Sequence, residues 1–185
     1  PEDFRIILTY CGAKYIALID GNSKVLWEDS GEHYESIDVG KFNPNFPAPQ
    51  FYVDIDHTEF GKALGYFYDY EGNKFGEIKL GYGRQHRTLD WNGDGLDEII
   101  VANELAVISG NGERIASLSF EDQSGTITPP QEEKITTLHM GIYDFTGKGN
   151  GDVLIFSKDS ACVYFNPTDT PNNRVHIEER NFTFY

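Results

Sequence analysis

The sequence is poor in the features that would settle its class at a glance. It has only two cysteines, Cys11 and Cys162, in 185 residues, which excludes a disulfide framework. Positive charge is scarce. Fifteen Lys and Arg stand against 30 Asp and Glu, the formal net charge is −15, and no basic stripe interrupts the acidic background. Nucleic acid is excluded on this ground, because a phosphate backbone has to be met by clustered cations. An anionic membrane surface is disfavoured by the same charge. No apolar run is long enough to span a bilayer, and no apolar signal segment opens the chain. Amphipathic helical windows are missing as well, since the stretch 132–138 is too short and too rich in Thr.

With 39% hydrophobic and 14% aromatic residues, the chain can bury a core, and its length suits a single domain over residues 1–185. A β-rich run, a short turn with Gly or Asn and a second β-rich run recur four times, beginning at "FRIILTY", "GYFYDYEG", "DEIIVANE" and "GDVLIFSK". The turns are expected at Asp20-Gly21-Asn22, at Glu71-Gly72-Asn73, at Ser109-Gly110-Asn111-Gly112 and in the loop 167–173, where Gly and Asn supply the positive φ that tight hairpins need. Val, Ile, Tyr and Phe dominate the runs, so the fold class is all-β. Units spaced by roughly 40–60 residues suggest β-propeller blades. A self-contained sandwich is the alternative. The opening "PEDFRII" parallels "LDEIIV", so the chain reads as the interior of a longer one or as a processed product. About four blades are expected, the C-terminal part of a seven- or eight-bladed ring. The remaining blades, on the same or another chain, are then a partner. Cys11 and Cys162 fall in similar places in the first and fourth units, too far apart in a large ring to bond.

The loop "DWNGDGLDEII" carries the clearest chemistry. Asp90, Asn92, Asp94 and Glu98 place side-chain oxygens at positions 1, 3, 5 and 9 of a calcium loop. Leu96 offers its carbonyl at position 7, and Gly95 permits the sharp turn at position 6. Position 12 is Val101, inside a strand, so this is an EF-hand-like loop without EF-hand helices. The cofactor expected is Ca2+; a metal-free acidic turn is the alternative. Asp97 is expected to face solvent or a neighbouring strand. A second copy, "DFTGKGNGDVL", keeps Asp144, Thr146 and Asp152 but has Lys148 at position 5, where an ammonium inside the ring of oxygens would replace the ion. The first loop is expected to hold calcium and the second not. Asp3 and the pair Asp54 and Asp56, beside His57, offer weaker remnants.

"GRQHRTLDWNGDGLDEIIV", followed by "GNGERIASL", resembles the blade repeats of the rhamnogalacturonan lyase family and its fungal relatives with calcium-binding propellers, and the ending "NFTFY" is similar to fungal members. The loop alone is also similar to FG-GAP repeats. The resemblance implies a secreted, extracellular enzyme that cuts a rhamnose–uronic acid linkage in plant cell-wall or gum polysaccharide by β-elimination, with a cation neutralising the uronate and a positioned base taking its C5 proton. The sequon Asn181-Phe182-Thr183 permits the secretion this requires. Arg84 and His86, two apart, are expected on one strand face towards the channel if that strand is innermost, with Arg84 or Arg87 on a uronate carboxylate and His86 as base or acid, as a calcium contact just outside the loop, or as an orienting structural residue. His139 precedes Asp144 in nearly the same register and joins the catalytic candidates. Trp91 heads the aromatics, with Trp27, Tyr34, Tyr52, Tyr66, Tyr68 and Tyr70, that either stack on sugars or pack between sheets. The Pro-rich stretch 41–51 is either a blade connection or a lip over a binding face. A non-catalytic propeller that binds glycans or proteins is the competing reading, and a purely structural domain ranks third.

Overall fold

A computed structural model describes residues 4–55, 63–81, 83–122, 125–127 and 138–169. Asp3, Asp56, His57, the sequon at Asn181 and the ending "NFTFY" lie outside the described residues, as does most of the loop 167–173. The fold is all-β. Among the described residues there is no α-helix, only a 3-10 turn at Cys11–Ala13.

Four antiparallel meanders account for most of the strands. The first runs β1 (Arg5–Tyr10), β2 (Tyr15–Asp20) and β3 (Val25–Ser30). The second contains β4 (Tyr34–Gly40), β5 (Gln50–Ile55), β6 (Ala63–Tyr68) and β7 (Lys74–Leu80). The third contains β8 (His86–Leu89), β9 (Glu98–Val101), β10 (Ala106–Ile108) and β11 (Arg114–Ser117). After a hairpin of β12 (Phe120–Asp122) and β13 (Gly125–Ile127), the fourth meander runs β14 (His139–Tyr143), β15 (Asp152–Phe156) and β16 (Ala161–Tyr164).

Successive sheets stack face to face. Ile16 and Leu18 meet Tyr34, Val53 and Tyr68 between the first and second sheets. Tyr52, Phe67 and Ile78 meet Ile99, Val101 and Ile108 between the second and third. Leu89, Ile100 and Val107 meet Met140, Val153 and Ile155 between the third and fourth. The middle strands of the second and third sheets are buried on both faces because a neighbouring sheet covers each one. Strands β1, β4, β8 and β14 lie in that order along one side of the stack. A closed ring is not shown; among the described residues no core cluster joins the fourth sheet to the first.

Repetition is sharpest in three hairpins. Each breaks register at the last paired residue before the turn, between Leu18 and Ile19, Phe67 and Tyr68, and Val107 and Ile108. In each, the first turn residue (Asp20, Asp69, Ser109) receives the amide three residues on and donates its own amide to the carbonyl four residues on. Its side-chain oxygen takes the amide four residues on as well. The residue three along is left-handed in every case: Ser23 at φ 64°, Gly72 at 89° and Gly112 at 85°. This corrects the expectation that Gly21 or Asn22 supplies the positive φ of the first hairpin, because a serine takes the position that the others give to glycine. The aromatics are mainly core. Tyr34, Tyr52 and Tyr68 are buried, and Trp27 stacks on Tyr68 with centroids 5.6 Å apart.

Left-handed backbone costs an L-residue about 1–2 kcal/mol, so Ser23→Gly is expected to raise unfolding stability by up to about 1 kcal/mol once the extra unfolded-state entropy of glycine is counted. Gly72→Ala has the opposite sign, because a Cβ there falls 2.6 Å from the Trp27 ring at positive φ. A loss of about 1–3 kcal/mol is expected. Urea midpoints of the two variants check both signs.

Candidate functional site

The acidic loop lies between β8 and β9, and carboxylates accepting backbone amides shape it. Asp90 Oδ1 accepts from Gly93 at 2.8 Å and Oδ2 from Gly95 at 3.1 Å. Glu98 Oε2 accepts from Trp91 at 2.8 Å, and Asp94 Oδ1 from Leu96 at 2.8 Å. The Asn92 amide stands 3.1 Å from Asp94 Oδ2 and 3.3 Å from Glu98 Oε1. Burial pushes the Glu98 carboxyl up to about 7; the Trp91 N–H opposes that, and the charges of Asp94 and Asp90 add to it.

The donor types, three carboxylates and an amide, are the hard oxygens that calcium takes. Asn92 turns Nδ2 towards Asp94 and Glu98, and its Oδ1 accepts the Asp94 amide at 2.9 Å, so calcium would need that amide turned to present its oxygen. A divalent cation would also offset the charge that builds up around the buried Glu98. Asn92, Asp94, Leu96 and Glu98 line one cleft, while the Asp90 carboxylate is turned to the amides of Gly93 and Gly95, and the carboxylates of Asp90, Asp94 and Glu98 do not all lie within 4.8 Å of one another; Gly95 is left-handed at φ 87°.

Both neighbouring sheets brace the loop. On one side Asp97 Oδ2 accepts the Lys41 amide at 2.7 Å and the Asp97 amide donates to the Lys41 carbonyl at 2.8 Å. Asp97 thus faces the neighbouring strand, at the end of β4, and fastens the start of the Pro-rich segment there. On the other side Asn166 Nδ2 donates to the Asp90 carbonyl at 3.3 Å and to the Asn150 carbonyl at 2.9 Å.

The loop 144–151 repeats the same backbone scheme. Asp144 accepts from Lys148 and Gly149, and Asp152 from Phe145 and Thr146. The Lys148 ammonium is not inside a ring of oxygens. It leaves the loop to bind Asp169 Oδ1 at 2.5 Å, because an exposed carboxylate outside holds it at less desolvation cost than the loop interior.

A cleft of about 410 Å³ opens beside the first loop. Its walls are Asn92, Asp94 and Glu98 from the acidic loop, Asn43 and Asn45 from the Pro-rich segment, and Asn111 and Glu113 from the β10–β11 turn. Gln50 fixes the Pro-rich wall by accepting from Phe42 and Asn43 and donating to the carbonyls of Asn43 and Phe46. That segment joins β4 and β5 within one sheet, which corrects the expected connection between blades, and it forms one wall of the cleft. Gly110 is required at the seam, since any Cβ there would collide with the Phe42 carbonyl.

The expected catalytic side chains are elsewhere. His86 does not face a channel. It is 1% exposed, with Nδ1 2.6 Å from Asp38 Oδ2 and Nε2 3.1 Å from Asp54 Oδ1, and the Tyr52 ring stands edge-on to it. Burial lowers its pKa, but the two carboxylates outweigh burial and raise it to about 9, so it is an enclosed imidazolium. Arg84 does not share its face. The strand starts only at His86, Gln85 is left-handed at φ 61°, and Arg84 Nη2 lies 3.9 Å from Glu35 Oε1. Arg87 is half-buried and donates to the His86 carbonyl at 2.6 Å. His139 is exposed on the fourth sheet and stacks on Phe156. Trp91 is half-buried against the core between the third and fourth sheets.

No protein-family model and no curated protein matches this chain. Among solved structures it is similar to a protein of unknown function from Bacteroides caccae, at 13% identity and a TM-score of 0.47. That match covers 91% of this chain, which spans 56% of the other protein's length.

Sequence reasoning passed over one group. Cys11 Sγ lies 2.9 Å from His33 Nδ1 and donates to Glu35 Oε1 at 2.8 Å, and the latter two atoms are 3.7 Å apart. The alternation of His33 and Glu35 about the buried Tyr34 was visible; the approach of Cys11, 22 residues away, was not.

His86 supplies the pH dependence. Its folded pKa of about 9 exceeds the ordinary 6.5, so its contribution is complete below pH 6.5 and is lost as pH rises to 9. The span corresponds to about 3 kcal/mol. His86→Gln is expected to abolish that slope and to cost about 3–5 kcal/mol at pH 6.5, because it leaves two buried carboxylates unpaired. Urea unfolding from pH 6 to 9 checks both.

Proposed function

We propose that this chain is a calcium-stabilised portion of a β-propeller whose rim cleft binds glycan without cleaving it. The four sheets correspond to four blades. The repeated hairpins, the stacking order and the alignment of β1, β4, β8 and β14 support that reading. Exposed Tyr143, Phe156 and Val163 on the fourth sheet, and Val25 and Leu26 on the first, mark faces on which further blades would stack.

One observation carries the functional part. Asn92, Asp94 and Glu98, which would help hold calcium, also line a cleft whose other walls combine amide and hydroxyl side chains, Asn43, Asn45, Ser109 and Asn111, with Glu113 and apolar groups such as Phe42 and Ile115. The amides and hydroxyls donate to and accept from sugar hydroxyls, and a cation at the mouth would draw a uronate into an otherwise acidic pocket. Lyase action on a rhamnose–uronate linkage is the second reading, which the sequence resemblance favours. It needs a base and an acid at the bound sugar, and neither His86, His139 nor Arg84 lines this cleft.

Calcium at about a hundred times its dissociation constant is expected to raise the melting temperature by roughly 5–10 °C. Asp94→Ala and Glu98→Ala should remove the shift, while Lys148→Ala should leave it intact. A rhamnose-bearing uronate polysaccharide should bind only with calcium present, and Asn43→Ala or Asn111→Ala should weaken binding about 5- to 10-fold, near 1 kcal/mol each. No absorbance from unsaturated uronate should appear. A calcium-dependent rise in that absorbance would establish the lyase instead. Binding of calcium without glycan would reduce the loop to a structural clasp.

A further inference from the structure

We infer that Cys11, His33 and Glu35 form a metal site for a borderline-soft divalent cation of the zinc class, bridging the first and second sheets. Among the described residues this is the trio of His, Cys and acidic side chains whose ligand atoms lie within 4.8 Å of one another. The site is distinct from the oxygen-lined loop in both place and donor type. Thiolate and imidazole select zinc over calcium.

Geometry distinguishes this cluster from a nucleophile activated by a relay. In a Cys–His–acid relay the acid and the thiol engage opposite nitrogens of the imidazole. Here Cys11 Sγ and Glu35 Oε1 gather on the same side, 2.9 and 3.7 Å from His33 Nδ1. Three donors that face one another across a small gap are placed for a common ion. A tetrahedral zinc with Zn–S near 2.3 Å and Zn–N and Zn–O near 2.1 Å needs ligand separations of about 3.4–3.6 Å. The Sγ separations of 2.9 and 2.8 Å therefore open by several tenths of an ångström on binding, within the reach of a cysteine in a 3-10 turn.

Charge and access agree. On binding, the Cys11 S–H bond breaks, the sulfur keeps the electron pair and binds the metal, and the proton leaves to solvent. Thiolate and the Glu35 carboxylate together then neutralise the dication. Arg84, 3.9 Å from Glu35 Oε1, is placed to orient that carboxylate from outside the ligand set. His33 and Glu35 side chains remain 25% and 15% exposed, so an ion can enter and a water can fill the fourth position. Thr9 Oγ1 donates to the Glu35 carbonyl at 2.7 Å, which holds β4 against β1 with or without metal.

The test is titration of the full chain with Co2+ and Zn2+ in the presence of calcium. One equivalent of Co2+ is expected to give a near-ultraviolet thiolate-to-cobalt charge-transfer band and tetrahedral visible bands, both displaced by Zn2+. Cys11→Ser should abolish the charge-transfer band, and His33→Ala and Glu35→Gln should weaken zinc binding by 10-fold or more. Cys162→Ser should retain the band and the affinity. Zinc should raise the melting temperature of the wild type and of C162S but not of C11S. Each variant is compared at matched circular dichroism, and Glu35→Gln, which preserves shape, serves if C11S does not fold. Absence of the cobalt band, or a band and affinity unchanged in C11S or E35Q, overturns the assignment.

Discussion

The stack of sheets is organised around a charge that it cannot release to water. Asp38 comes from β4, Asp54 from β5 and His86 from β8, so their meeting requires the second and third sheets to pack in one register. The β4–β5 pairing breaks between Tyr34 and Ile37, and the Ser36 amide donates to Asp54 Oδ1 at 2.6 Å. One carboxylate therefore satisfies an irregular amide and clamps an imidazolium at once. Replacing such a cluster with hydrophobic residues could equal its stability, but a sheet slipped by one residue would bury unpaired charges. For a chain of net charge −15, a buried cation held by two of its own carboxylates also removes negative charge from the crowded surface.

The paired acidic loops separate what shapes the backbone from what would hold an ion. Both use an aspartate at position 1 to collect amides and an acid at position 9 to receive the amide of position 2. Amide-to-carboxylate bonds thus suffice to define the turn, and the lysine-bearing copy achieves it with its ammonium directed elsewhere. What distinguishes the first loop is the set of oxygens left over: Asp94 and Glu98 converge on Asn92, and Glu98 is pushed to about 7. The turn is formed by the protein itself, and the surplus of negative charge is the part a cation would complete.

Much of this was legible in the residues. Alternation and turn chemistry yield the strands and hairpins, and the loop spacing yields Asp90, Asn92, Asp94 and Glu98. The failures share one cause. Two-residue periodicity placed Arg84 and His86 together, but it holds only inside a strand, and the left-handed Gln85 ends it just before His86. Burial of His86 depends on Asp38 and Asp54, which are 48 and 32 residues away. Cys11, His33 and Glu35 likewise meet across two sheets. Local rules see turns and faces; contacts made by stacking one sheet on another have no local signature. In the first hairpin the left-handed residue is Ser23 and not Gly21 or Asn22, and the side-chain oxygen of Asp20, like that of Asp69, marks the turn more faithfully than glycine does.

The chemistry of the cleft follows from the same distinction. Asp94, Glu98 and Glu113 give it a negative lining, which repels a uronate unless a cation intervenes. A lyase would need that cation to do more than neutralise. The cation would have to face a base, held within hydrogen-bond reach of the C5 proton. His86, at the opposite end of β8 from the acidic loop, has both nitrogens committed to carboxylates and the Tyr52 ring edge-on to it. Releasing it would cost the register of two sheets. A site can recruit a ligand through an ion without activating it, and the His86 imidazolium is committed to holding the stack.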